Sequence, residues 1–181
     1  MEVIDLSLPG LKLIKPRVFA DNRGFFLESY REDRYREAGI DCSFVQDNHS
    51  RSTKNTLRGL HYQSQPGQAK LLRVVAGRIY DVAVDIRPDS PTFGKWEGVY
   101  LDASEHHQLF IPVGFAHGFC VVSEVADVLY KASNVYNAAT ECALAWNDPD
   151  VGVAWPCAEP NLSVRDQSSE SFASLSKRLG R

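Results

Sequence analysis

Residues 57–77, LRGLHYQSQPGQAKLLRVVAG, set an arginine (Arg58), a histidine (His61), a glutamine (Gln63) and a lysine (Lys70) among apolar residues of strand-forming type. An imidazole titrates near neutral pH and can take or give a proton. An ammonium group in a water-poor site can hold a developing anion. The set therefore suits proton transfer. A single histidine in a strand is more often a hydrogen-bonded core residue, so the surroundings must decide. Farther along, DVAVDI puts Val82, Val84 and Ile86 on one face of a strand and Asp81, Ala83 and Asp85 on the other. With the apolar face in a core, the carboxylates look either into solvent or into a polar cavity shared with the histidine and lysine. The flanking residues favour the cavity.

Short strands are needed to position such a set, and the chain supplies them. GLKLIKPRVF, GFFLESY, KLLRVVAGRIYDVAVDI, WEGVYLDA, HQLFIP, GFAHGFCVVS, DVLYKAS and ECALAW are rich in β-branched and aromatic residues and are separated by Gly, Pro, Asn or Asp. That spacing predicts an antiparallel sandwich or barrel. Two helices are expected, at REDRYREAG, closed by Gly39, and in the tail SSESFASLSKRLG, where Phe172, Leu175 and Leu179 recur at helical spacing. No repeat or linker interrupts the chain, so residues 1–181 read as one domain.

The composition narrows the partners. A length of 181 residues and 44% hydrophobic content allow a real core, and a net charge of −3 provides no electrostatic footprint for nucleic acid or an anionic membrane. No apolar run reaches the length of a membrane span. The opening MEVIDLSLPG has no basic region followed by an apolar segment, so a cytoplasmic location is expected. Cys42, Cys120, Cys142 and Cys157 show no spacing that would bring thiols together, and read as reduced, mostly buried small hydrophobes.

Gly59, His61, Gln63, Lys70 and Gly77, followed by Pro112, Gly114 and His117 in PVGFAHGF, resemble the two cupin motifs, in which His-x-His, a glutamate and a later histidine bind a metal. Here Gln63 stands for the second histidine and Lys70 lies near the glutamate position. An ammonium group offers a metal no lone pair. The pattern is that of a jelly roll which has exchanged its metal for a fixed side-chain cation.

More specifically, the chain resembles the dTDP-4-dehydrorhamnose 3,5-epimerases. The matching blocks are FADNRGFFLESY, FVQDNHSRS, LRGLHYQ, DVAVDIRPDSPTFGKW, IPVGFAHGF, LYKASNVYN, LAWNDPDVGVAWP and LSVRD, in order along nearly the whole chain. The resemblance implies an all-β cupin-type double-stranded β-helix with a few short helices, and an isomerase needing no cofactor and no metal. It implies His61 as catalytic base with Asp166 as its partner, Tyr130 as acid, and Lys70 stabilising the intermediate with Asp81 nearby. Arg23, Glu28, Gln46, Asp47, Asn48, Arg58, His117, Glu141 and Arg165 match the family's substrate-binding positions. It further implies a dTDP-linked or other nucleotide-linked 4-keto-6-deoxy sugar as substrate, and a homodimer whose segment holding Arg23 and Glu28 reaches the partner's site.

Two departures stand out. The loop SQPGQAK is about one residue shorter than in many members, and Arg165 occupies a position commonly filled by lysine, exchanging a point charge for a planar fork. Inversion at one carbon only, a metal-dependent cupin enzyme and a non-catalytic sugar-nucleotide binder remain the alternatives. Tyr136 is a rival acid. His106 and His107 read as surface residues of a turn entering a strand.

Overall fold

The computed structural model describes residues 1–181. Its strands are β1 (Glu2–Asp5), β2 (Lys12–Lys15), β3 (Val18–Asp21), β4 (Gly24–Leu27), β5 (Gln46–Thr53), β6 (Leu57–Gln63), β7 (Lys70–Ala76) and β8 (Arg78–Asp85). They continue with β9 (Trp96–Asp102), β10 (Gln108–Ile111), β11 (Phe115–Val121), β12 (Val125–Ala132) and β13 (Glu141–Ala143). Helix α1 (Glu32–Glu37) and helix α2 (Phe172–Arg178) lie where the sequence places them, and a 3-10 turn covers Asp166–Ser168. Ser171 caps α2 by accepting from Ser174 N.

Two antiparallel sheets form a cupin-type jelly roll. One has the order β1-β2-β10-β7-β12-β5 and the other β13-β6-β11-β8-β9, while β3 and β4 form a separate two-stranded hairpin. Leu72, Val74, Leu109, Ile111, Ala126 and Val128 of the first sheet meet Ile79, Ala83, Leu101, Phe115, Phe119 and Val121 of the second in one core. Behind the second sheet a further cluster joins Leu60, Tyr62, Val82, Val84 and Ala116 to Leu144, Val151 and Leu175. Behind the first, Tyr35 and Ile40 at α1 pack on Ile14, Leu71 and Phe110.

This layering settles which way β8 faces. Val82 and Val84 lie under the C-terminal segment, and Asp81 and Asp85 turn inward between the sheets, both at 0% exposure. Because the C-terminal segment covers the back, neither face of the strand is left to solvent.

Several expected strands are shorter or divided. Pro16 separates β2 from β3, and ECALAW forms a strand only over Glu141–Ala143, with Leu144 adding a single bridge to Glu170. The hairpin leaves Phe19, Phe25 and Phe26 exposed. Its contact with the body includes Phe25 against the ring of His106, at 4.3 Å between centroids. His106 itself sits in the turn before β10 with a φ of 57°.

All four cysteines are free, as the sequence reading has them, and the fold adds a contact that the reading lacks. Cys120 and Cys157, 37 positions apart in the chain, bring their sulfur atoms to 2.7 Å. Spacing along the chain does not report a pair made by folding a loop back onto a strand.

Candidate active site

Strand β6 carries Arg58 and His61, three residues apart, and strict alternation would point them to opposite faces. An irregularity in the β6–β11 pairing removes the conflict, since the register shifts between His117 and Phe119. Gly59 makes it possible. It has a φ of 133°, and a Cβ there would lie 2.5 Å from Gly118 Cα, so only glycine fits this close approach. Arg58, His61, Arg165 and Asp166 consequently line one cavity.

His61 stands opposite His117 on one side and Ala143 on the other. Its Nε2 donates to Asp166 Oδ1 at 2.6 Å, which leaves Nδ1 as the nitrogen that can accept a proton. Asp166 sits at the start of the 3-10 turn, where its backbone N donates to Ser163 Oγ at 3.1 Å. Burial alone would raise its carboxyl, but the hydrogen bond and charge of His61, with Ser163 and Arg165, bring it below the usual carboxylate range. The aspartate thus stays ionised beside the imidazole.

His117 and Asp81 form a second pair deeper in the barrel, with Nε2 at 2.9 and 3.0 Å from the two carboxylate oxygens. Burial lowers the imidazole's affinity for a proton, against the opposing pull of Asp81. Lys70 enters from β7 in the facing sheet, and its Nζ lies 3.5 Å from the carbonyl oxygen of His61. Burial pushes its ammonium down to about 8, with Asp81 and Glu141 pulling the other way. A lysine so placed is charged at neutral pH but weakly solvated, a state in which a fixed cation acts strongly on a nearby anion.

Tyr130 belongs to β12, opposite Asn48 of β5 and Leu72 of β7, on the inward face of the first sheet. Burial and then the charge of Glu141 raise its phenol, so it stays protonated through the neutral range. His61 and Tyr130 therefore occupy facing sheets.

The remaining positions divide. Glu141 accepts from Arg165 Nη1 at 2.6 Å and from the Tyr136 hydroxyl at 2.7 Å, closing one rim. Gln46 joins that rim by accepting from Tyr136 N and donating to Asn48 Oδ1, both on the inward side of β5. Arg58 donates to Ser52 Oγ at 2.9 Å. Asp47, one residue from Asn48, turns to the outer face and pairs with Lys131. Arg23 and Glu28 lie elsewhere in the chain. Arg23 pairs with Asp21 of its own hairpin with its side chain 86% exposed, and Glu28 pairs with Arg34.

Sequence reasoning passed over a latch behind His61. The next residue, Tyr62, donates to Glu170 Oε1 at 2.7 Å, and Arg178 of α2 donates to both. The step from Asp166 to Glu170 is four residues, so the latch ties together the two chain segments that carry the dyad. Its only signal in the sequence was the polar tip on an otherwise apolar neighbour of His61.

No cluster of three His, Cys, Asp or Glu side chains has the geometry to hold a metal ion. At the positions where a cupin would offer ligands, the Gln63 amide donates to Pro66 O and Lys70 presents an ammonium. Groups able to give and take a proton, carried on the two facing sheets of a cupin-type fold, are the arrangement that a cupin-type isomerase requires.

Comparison with known proteins fixes the family. The family profile for dTDP-4-dehydrorhamnose 3,5-epimerase matches residues 5–174. The chain is 52% identical to the dTDP-4-dehydrorhamnose 3,5-epimerase of Neisseria gonorrhoeae over 98% of its own length, and spans about half of that relative, 54%. It is 50% identical to the same enzyme of Shigella flexneri, covering 95% of this chain and 96% of that one. The crystal structure of the Legionella pneumophila 3,5-epimerase with dTDP-4-keto-L-rhamnose superposes with a TM-score of 0.91 at 46% identity, covering 96% of each chain. The chain belongs to the dTDP-4-dehydrorhamnose 3,5-epimerase family.

Proposed function

We propose that this chain inverts C3 and C5 of a nucleotide-linked 4-keto-6-deoxyhexose, taking dTDP-4-dehydro-6-deoxy-D-glucose to dTDP-4-dehydro-L-rhamnose. The C4 carbonyl acidifies the hydrogen on each neighbouring carbon. His61 removes it through Nδ1, and Asp166 stabilises the imidazolium that forms. The electrons move onto the carbonyl oxygen, where the Lys70 ammonium meets the charge, with Asp81 and His117 forming the buried pair beneath it. Tyr130 then returns a proton from the other side. Inversion needs two different protonic groups on opposite faces of the sugar, and the observation that carries the reading is that His61 and Tyr130 project from facing sheets.

Arg58 and Arg165 supply the positive charge that a pyrophosphate requires. Gln46, Asn48 and Glu141 border the same opening. The Legionella relative holds a dTDP-linked keto sugar, which supports the same substrate class here. Incubation with dTDP-4-keto-6-deoxyglucose in heavy water tests the proposal. Deuterium should appear at both C3 and C5, label at one carbon would indicate a monoepimerase, and label at neither would sink the reading.

We further propose that the enzyme works in the cytoplasm as a homodimer, with Arg23 and Glu28 of one copy binding nucleotide at the site of the other. The exposed phenylalanines of the hairpin, and Arg23 standing exposed with Asp21 of the same hairpin as its partner, support this. Arg23→Ala mixed with His61→Ala should regain activity through heterodimers that have one intact site. No rescue after demonstrated subunit exchange would count against sharing.

A further inference from the structure

Cys120 lies on β11 on the face turned away from the epimerase cleft, since Phe115, His117 and Phe119 alternate inward. Over it passes the segment from Gly152 to Pro160. This segment is held weakly: between Trp155 and Asn161 no backbone N–H makes a backbone hydrogen bond, and Ala154, Pro156, Ala158 and Glu159 are exposed. Val153 and Trp155 pack against the cluster behind the sheet and the Trp155 indole donates to Trp146 O at 2.8 Å, while beyond Trp155 the buried side chain is that of Cys157. Cys157 is buried at 9% exposure and its sulfur is 2.7 Å from that of Cys120, beyond a disulfide bond of about 2.05 Å by less than 1 Å. Cys42 and Cys142 have no thiol partner.

We infer that Cys120 and Cys157 form a two-electron oxidation site, closing to an intrachain disulfide when the protein meets a peroxide and thereby clamping the 152–160 segment onto the back of the five-stranded sheet. The chemistry balances with hydrogen peroxide as the oxidant. Cys157, on the weakly held segment, attacks a peroxide oxygen; an S–O bond forms, the O–O bond breaks and one water leaves. Cys120 then attacks the Cys157 sulfur, an S–S bond forms, the S–O bond breaks and a second water leaves. The two sulfurs have lost two electrons to the peroxide, and the two thiol protons end in the waters. Burial, and then its contact with Cys157, raises the Cys120 thiol. Closure is therefore slow at neutral pH and faster as the solution becomes more alkaline.

The clamp joins cysteines 37 positions apart in the chain, and restricting the unfolded chain over that length stabilises the folded state. The test treats the full chain with hydrogen peroxide, alkylates remaining thiols under denaturing conditions and maps peptides without reduction. One cross-link between the Cys120 and Cys157 peptides is expected, with Cys42 and Cys142 alkylated. Melting temperature should rise by roughly 4–12 °C and return on reduction with dithiothreitol. Cys157→Ser should fold and show no rise. Four alkylated cysteines after a treatment that oxidises a free thiol standard would overturn the inference, as would separate oxygen adducts on Cys120 and Cys157 or a cross-link involving Cys42 or Cys142. The peptide map of the unaltered protein decides the matter whether or not the serine variant folds.

Discussion

His61 Nε2 and Asp166 Oδ1 meet at 2.6 Å although 105 residues separate them in the chain. The contact selects Nδ1 as the proton acceptor and holds an ionised carboxylate against the imidazole. In the proposed mechanism replacing the histidine removes the base, so His61→Asn should lower exchange at both carbons by roughly 10²–10⁴-fold with nucleotide binding retained. Asp166→Asn should act in the same direction but less severely, because the imidazole remains. Solvent-deuterium exchange followed by NMR, alongside dTDP binding by calorimetry, measures both effects. Exchange in His61→Asn within about tenfold of wild type would move the base elsewhere.

The role proposed for Lys70 ties activity to pH. Its folded-state value is lowered from 10.5 to about 8, so the ammonium is present below that pH and is lost as pH rises through it. The rate should decline above about pH 8, and Lys70→Met should be slower by roughly 10²–10³-fold with that alkaline limb absent. The same shift has a stability consequence of opposite sign. A lysine that binds its proton more weakly when folded opposes folding wherever the unfolded chain is protonated. Lys70→Met should therefore melt at a higher temperature than wild type while turning over poorly. A variant that is both slower and less stable would contradict this account of the lysine.

Asp85, also on the inner face of β8, does a different job from Asp81. Burial would raise its carboxyl, but Arg87, Ser90 and Thr92 donate to it and hold it at about 2, below the ordinary 3.8. A depressed carboxylate contributes stability that is present above the unfolded value and is lost as pH falls toward the folded one. The shift corresponds to about 2 kcal/mol, which should disappear between about pH 4 and about pH 2. Urea unfolding across that range, with Asp85→Asn as the comparison, checks it. The variant should be less stable at neutral pH and should lose the acid dependence assigned to this group.

The latch at Tyr62 supports the dyad from behind. Its hydroxyl donates to Glu170 and accepts from Arg178, and the side chain is buried. Tyr62→Phe leaves the guanidinium and the carboxylate without their shared partner, at a cost of roughly 1–3 kcal/mol. Because β6 and the Asp166 turn are the parts joined, kcat should fall several-fold while KM holds. A purely structural role would lower the melting temperature and leave kcat of the folded fraction unchanged.

The sequence was most legible where apolar alternation and turn residues coincide. Strands β7 to β12 and both helices lie where their patterns put them, and the inward turn of Asp81 follows from the valines packed behind it. Strand β5, Gln46–Thr53, has no apolar residue, so its hydrophobic pattern is silent, and only its eight-residue pairing with β12 makes it a strand. The same edge separates Asp47 from Gln46 and Asn48 by simple alternation, which a motif match does not reveal. Arg58 and His61 share a cavity because of one backbone irregularity at Gly59. Contacts made by folding distant segments together, such as Cys120 with Cys157 and Tyr62 with Glu170, leave no mark on local spacing.

Tyr130→Phe separates removal of the proton from its return. The proposed base, its aspartate and the ammonium are intact in this variant, so the enolate should still form. With no phenol on the facing sheet, His61 can only hand a proton back to the side from which it came. Solvent deuterium should therefore enter C3 and C5 with configuration retained, and the ratio of inversion to exchange should fall by roughly 10²-fold or more. Tyr130 packs partly against the central core, so loss of its hydroxyl could also act through stability. Thermal melting separates the two effects, because a destabilised protein loses exchange and inversion together and keeps their ratio. Tyr136 offers the competing assignment, but its hydroxyl already donates to Glu141 at 2.7 Å on the rim. Tyr136→Phe should keep the wild-type ratio, and an unchanged ratio in Tyr130→Phe with a lowered one in Tyr136→Phe would transfer the acid to Tyr136.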